Sequence, residues 1–494
     1  MTGASVALRA GIAALALAGG LCAAPAAADT LREALALAYQ TNPTLEAARA
    51  QQRATDESVP INRADGLPSV SADASYLEFL KSSSSSFTTP ERSVDAGLSL
   101  NVPLYTGGAV KNSVRAAETR VEAGRADLRG TESFLFTQVV SAYMDVIQNE
   151  AIVALTTNNV NVLQTNLEAT SDRFEIGDLT RTDVAQSEAR LALARSDRRS
   201  AQSNLIEARE RYTRLVGEPP VDLAPPPPLP GLPTGPQEAV AIALEYNPDI
   251  LAAERRAEAA GYDTDVVRAS RLPRVSAFAD GGYTNYLGTI GDSAANPTVV
   301  IPQGQSTATV GVRATIPIFQ GGRPAALVRQ SQARQQAALE TMIATEREVI
   351  ATVRAAYASF EAANAIIASN QSAVDAATLS LEGVRAENTV GNRTILDILN
   401  AEQELLRARV QLVTARRNAY VAGFTLLATM GRAEARDLML EGTGPLYDPI
   451  DNYERVRGKI WDWDDDPTPE IRSTSTVDTP AQTGEIQGPV LGIE

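Results

Sequence analysis

Two stretches decide the reading of this chain: Ser93–Gly108, SVDAGLSLNVPLYTGG, and Thr307–Gly322, TATVGVRATIPIFQGG. In the first, Val94, Ala96, Leu98, Leu100, Val102 and Leu104 alternate with Ser93, Asp95, Gly97, Ser99 and Asn101. In the second, Ala308, Val310, Val312, Ala314, Ile316 and Ile318 alternate with Thr307, Thr309, Gly311, Arg313 and Thr315. A period of two predicts a strand with one apolar and one polar face. Each strand has a less regular partner before it, so four strands are expected, at about 69–80, 93–104, 274–286 and 306–319. Aromatics (Tyr76, Phe79, Tyr283, Tyr286) sit toward the ends of the partner strands, and polar loops join each pair.

Outward from these stretches the chain repeats itself. REALALAYQTNPTLEAARA from Arg32 returns as QEAVAIALEYNPDILAAERRA from Gln237. Pro43 and Pro248 match at a shift of 205; Pro103, Gly107, Gly108, Gly177 and Gly217 match Pro317, Gly321, Gly322, Gly391 and Gly431 at a shift of 214. Two copies of one unit are therefore expected, 29–218 and 236–440, joined by a Pro-rich linker at 219–235 that is extended by composition. Each unit opens with an amphipathic helical pattern, about 30–64 and 236–270, ahead of its strands. Each then ends in a proline-free stretch rich in Ala, Leu, Gln, Glu and Arg, which predicts long helical hairpins at 108–217 and 322–431. A first arm of about 60 residues would span about 90 Å, more than a compact domain of this size allows.

One interruption breaks each hairpin: RFEIGDLTRTD in the first and AENTVGNRTILD in the second. Gly177 and Gly391 fit the C-terminal cap of an incoming helix. Thr180 with Asp183, and Thr394 with Asp397, fit the capping pair of an outgoing one. The Gly107-Gly108 and Gly321-Gly322 pairs lack a Gly-Lys-Ser/Thr continuation, so they are read as tight strand-to-helix turns and not as phosphate loops.

Composition excludes most chemistry. The 494 residues contain no histidine and one cysteine, so no Ser-His-Asp or Cys-His nucleophile, His-ligated metal or Cys cluster is available. No catalytic, cofactor or metal site is expected, and the protein is not read as an enzyme. A net charge of −16 argues against nucleic acid as a partner. Arg9, the apolar run Ala10 to Leu21, and Ala26-Ala27-Ala28 predict an export signal over 1–28, cleaved before Asp29. Leu21 before Cys22 lacks the small side chain a lipoprotein signal needs. The tail 441–494, with WDWDDDPTPE, is acidic and aperiodic and is expected to be a disordered periplasmic segment; metal binding by Asp462, Asp464, Asp465 and Asp466 is not expected.

Strands of 10 to 12 residues suit an outer-membrane span, but four of them cannot close a barrel. An open sheet in lipid leaves edge groups unpaired at several kcal/mol each, so closure must come from other copies. A soluble periplasmic coiled-coil protein is the competing reading, and it leaves the alternating segments unexplained.

The chain resembles the TolC family of outer-membrane channel-tunnels. The resemblance covers 29–440 and rests on the duplicated unit, on LNVPLYTGG and ATIPIFQGG, and above all on VGNRTILDILNAEQELLRA at 390–408 with its counterpart IGDLTRTDVAQSEARLALA. It implies a mainly α fold with membrane β: a homotrimer whose 12-stranded β-barrel, set in outer-membrane lipid, continues into a periplasmic helical coiled-coil barrel. It implies a passive exit duct for type I protein secretion or drug efflux. The partners would be a periplasmic adaptor and an inner-membrane ABC exporter or proton-driven pump. At the periplasmic entrance it implies that Arg393 bonds across to the neighbouring hairpin, at Thr182 and Asp183, and that Asp397 forms a carboxylate ring. Two positions depart from the family pattern. Asn400 stands where a second aspartate is expected and Asn388 where a gating tyrosine is, which implies a less acidic entrance and a differently wired latch.

Overall fold

The computed structural model describes residues 29–81, 90–290, 302–486 and 490. The expected export signal lies outside these residues, as do the central parts of both strand-connecting loops. The chain begins with α1 (Leu31–Thr41), α2 (Pro43–Asp56) and α3 (Ser58–Ala64) where one helical pattern was expected. The break has a local cause. Asn42, ahead of Pro43, takes an extended conformation, as residues before proline do, and its side chain caps α2 through the Thr44 amide. Asn247 and Pro248 repeat this device in the second unit.

The strands follow as β1 (Ser69–Glu78) and β2 (Arg92–Tyr105), then the hairpin α4 (Ala109–Glu175) and α5 (Arg181–Val216). The second unit gives α6 (Pro236–Tyr246), α7 (Pro248–Arg268), β3 (Arg274–Asn285), β4 (Gly304–Thr315), α8 (Arg323–Thr389) and α9 (Ile395–Thr429). α4 and α8 each have 67 residues, about 100 Å of helix. β4 stops short of the expected residue 319: Thr315 pairs with Arg274, the first residue of β3, so nothing opposes Ile316 to Phe319.

All four strands form one antiparallel sheet in the order β1-β2-β3-β4. Its register sorts the two faces. Val70, Ala72, Ala74 and Tyr76 oppose Leu100, Leu98, Ala96 and Val94; these align with Ala279, Gly281, Tyr283 and Asn285, and onward with Val310, Ala308, Ser306 and Gly304. One face is thus almost wholly apolar. The other carries Ser71 bonded to Ser99 at 2.7 Å, Asp95 accepting from Thr284 at 2.7 Å, and Arg313 stacked on Phe278. Both faces are solvent-exposed, and Val310 is 86% accessible. No helix among the described residues is long and apolar enough to cross a membrane.

The helices continue the strand order. In the upper half α3, α4, α7 and α8 stand side by side beneath β1, β2, β3 and β4; in the lower half α9 and α5 pack on α8 and α4 and complete the strip. At the β2–α4 junction Gly107 has φ +67°, and a Cβ there would lie 2.8 Å from Leu272 Cβ, so only glycine fits this turn.

The main core lies at the waist, where α1, α4, α5, α6, α8 and α9 bury Phe136, Tyr143, Leu205, Phe424 and Met430. The Pro-rich linker belts this core. Tyrosine hydroxyls fasten it: Tyr143 donates to the Ala224 carbonyl at 2.6 Å, Tyr420 to Pro227 at 2.9 Å and Tyr357 to Thr234 at 3.1 Å.

The tail departs from expectation. It contains α10 (Pro449–Val456) and is held along the helical body as far as its described residues run. Asn452 donates to Asp56 at 2.7 Å, and buried Arg209 donates to the carbonyls of Thr483 and Glu485 at 2.7 and 2.8 Å. Composition signals disorder here, but ordering comes from burial of Val456, Ile486 and Val490 against the helices, a signal too sparse to show periodicity.

Candidate functional site at the hairpin tips

Each hairpin turns through five residues, and each turn is built from the same parts. α4 ends as the Asp178 amide donates to the Arg173 carbonyl at 2.9 Å, with Gly177 left-handed at φ +84°. α8 ends with Asn392 donating to Glu387 at 3.0 Å and Gly391 at φ +81°. This double wrap satisfies the last helical carbonyls and turns the chain.

The outgoing helices start on full capping boxes. The Thr180 hydroxyl accepts from the Asp183 amide at 3.3 Å while the Asp183 carboxylate accepts from the Thr180 amide at 2.9 Å. Thr394 and Asp397 repeat both bonds at 3.3 and 2.9 Å. Bonds from the threonine side chain and backbone hold both carboxyls below the ordinary aspartate range, so both are ionised at neutral pH. Capping commits one oxygen of each, and both residues stay half-buried at the tip.

Arg393 is placed by a neighbour absent from the sequence reading. Its guanidinium donates to Glu387 at 2.7 Å across the turn, while Asn388 donates to the Arg393 carbonyl at 2.8 Å. Within the chain it thus engages Glu387 and not Thr182 or Asp183. The first tip holds a comparable strut: Arg173, matching Glu387 in the repeat, pairs at 2.7 Å with Asp178, which matches Asn392 and not Arg393.

The departing residues are also wired in. Asn400 accepts from Arg190 of α5 at 2.8 Å, which ties the two hairpins one turn above the tip. Glu402, buried, pairs with Arg385 of α8. Leu399, next to Asn400 on α9, enters a cluster with Val160, Leu163, Leu191 and Ala194, so the hairpins also join through an apolar seam. Arg190 and Arg385 lie on uninterrupted helical pattern and Glu387 at the start of the interruption; their partners are 210, 17 and 6 residues away, so no local helical spacing singles them out.

The family profile described as Outer membrane efflux protein matches residues 34–218 and 239–432. The outer membrane efflux protein BepC of Brucella suis is 34% identical over 437 residues, 88% of this chain and 92% of that protein. The outer membrane protein TolC of Vibrio cholerae is 26% identical, over 83% of this chain and 93% of its own. The crystal structure of the Campylobacter jejuni CmeC outer membrane channel superposes with a TM-score of 0.70 at 17% identity, covering 87% of this chain and 89% of that one. Apolar sheet, long hairpins and these likenesses agree: the chain belongs to the outer membrane efflux protein family, the TolC-type channel-tunnels that serve efflux and secretion across the outer membrane.

Proposed function

We propose that three copies of this chain assemble into one passive duct, with twelve strands closing a barrel in outer-membrane lipid. The observation that carries this is the sheet: one almost wholly apolar face, one hydrogen-bonded polar face, and two edges, β1 and β4, with no partner among the described residues. Closure pairs β4 of one copy with β1 of the next. Because α8 hangs from β4 and α3 leads into β1, the same step sets α8 of one copy against α2 and α3 of its neighbour. Four strands per copy and the family likeness favour three copies.

At the far end the tips form the entrance. Asp397 from three copies makes a ring of ionised carboxylates that concentrates cations at the mouth. Arg393, with Thr182 and Asp183 on the adjoining hairpin, holds that mouth shut. Opening comes from a periplasmic adaptor and an inner-membrane transporter, which is either an ABC exporter or a proton-driven pump. Relatives named for secretion and for resistance both match the chain: AprF of Pseudomonas aeruginosa for alkaline protease secretion and CzcC of Cupriavidus metallidurans for cobalt-zinc-cadmium resistance.

The test is the mass and image of the detergent-extracted protein, followed by planar-bilayer recording. A three-fold particle with a hollow stem of about 100 Å and cation-selective reversal potentials is expected. A detergent-independent monomer without a lumen would remove the barrel, and anion selectivity would remove the carboxylate ring.

A further inference from the structure

The tail makes one feature that the duct does not use. From Tyr447, whose amide donates to the Tyr39 hydroxyl at 3.0 Å, the chain climbs beside the first unit. Asn452 meets Asp56, and then the Arg457 carbonyl accepts from Arg63 at 3.0 Å, six residues before β1 begins. There it reverses. The Asp464 amide donates to the Trp461 carbonyl at 3.3 Å, closing a tight turn, and the chain returns to place Asp466 on Arg455 with two bonds of 2.7 and 2.8 Å. Lys459 braces the same loop through Asp464 at 3.1 Å and Asp466 at 3.5 Å.

The apex of this stapled hairpin carries Ile460, Trp461 and Trp463, which are 66%, 75% and 87% exposed. They are the two tryptophans of the whole chain and a large aliphatic neighbour. Exposing two indoles on a braced turn costs apolar hydration that any apolar surface would relieve. Four residues beyond Arg457 span at most about 14 Å, which keeps the turn within reach of the level of Val70, where the apolar face of the sheet starts. Indoles favour the lipid–water boundary, where the ring is desolvated and the N–H stays wet. The ion pairs neutralise Asp464 and Asp466, while Asp462 and Asp465 form no ion pair among the described residues. That residual negative charge suits zwitterionic lipid better than an anionic surface.

We infer that the 458–465 turn is a membrane anchor: Trp461 and Trp463 enter the headgroup layer of the periplasmic leaflet beside each barrel wall. The occupant is a zwitterionic phospholipid surface continuous with the lipid around the sheet. The inference rests on the membrane placement of the sheet and is independent of how the tips open.

Because the chain has no other tryptophan, its intrinsic fluorescence reads this turn alone. The full-length protein is reconstituted into phosphatidylethanolamine–phosphatidylcholine vesicles, and flotation first establishes that it has inserted. W461F and W463F each leave one reporter. A blue-shifted emission that brominated acyl chains quench and aqueous iodide does not is the expected result. In floated vesicles, red emission fully quenched by iodide and untouched by bromolipid would overturn the anchor and leave the turn as a docking loop for a soluble protein. Protein that fails to float would instead indict the barrel reading.

Discussion

α4 and α8 are the same element twice, equal in length and position within the repeat, and the chain treats them differently. Twenty-four residues of α4 are buried and six of α8. α4 lies inside the strip, between α3 and α7 above and between α5 and α9 below; α8 lies at its edge, flanked on one side by α7 and α9. Their strands share this fate, since β2 is paired on both sides and β4 on one. An element buried in one repeat and exposed in the other is where the proposed trimer would seat its next copy, and Leu339, Ile343, Ile366 and Leu379 lie open along it.

The comparison breaks most decisively at that edge. Leu339→Glu should abolish the trimer while leaving helix content intact, read by light scattering in detergent and far-UV circular dichroism; a surviving trimer would mean α8 is not the seam. In the interior the cost falls on the fold itself. Phe136 is fully buried against Tyr39, and Phe136→Ala should cost about 3–5 kcal/mol in urea unfolding. Ile350, the matching residue of α8, should cost clearly less as alanine when measured on the monomeric Leu339→Glu background. Equal losses would erase the distinction.

Acidity sharpens it further. Glu132 of α4 faces Arg49, Arg129 and Glu434, accepts from the Ala435 amide, and is pushed by burial to about 7 from 4.5. A carboxyl whose folded pKa is raised binds its proton more tightly in the native state. Its contribution is therefore full below pH 4.5 and lost as pH rises through 7, a swing of about 3 kcal/mol. Glu132→Gln should flatten that part of the stability–pH curve. Unfolding followed from pH 4 to pH 8 checks it, and an unaltered slope in Glu132→Gln would refute the assignment.

Sequence made the repeat, strand faces and capping boxes legible because each is written in short-range pattern: period two, a glycine at a fixed offset, a threonine three before an aspartate. It missed what depends on neighbours brought from afar. The tail reads as disorder because its anchors, Arg209 on Thr483 and Asn452 on Asp56, are separated by 274 and 396 residues. Arg393 reads as a bare loop arginine because its partner Glu387 belongs to the preceding helix. Asn400 reads as a lost charge, yet the amide oxygen is what Arg190 needs.

That rewiring sets the smallest expected effect. The Arg393–Glu387 pair is exposed, so it contributes little to stability; its weight falls on the entrance. Two accounts of Arg393 predict different patterns. If it latches to Thr182 and Asp183 of an adjoining hairpin in the trimer, Arg393→Ser raises single-channel conductance and Glu387→Gln, which frees the guanidinium to reach across, does not. If Glu387 is what aims the guanidinium at the latch, both substitutions open the entrance alike. Arg190→Ala removes the bond to Asn400 and should add to either one, because that tie joins the hairpins above the tip and shares no partner with Arg393. Conductance unchanged in all three would take the gate away from these side chains and leave it to the apolar seam around Leu399.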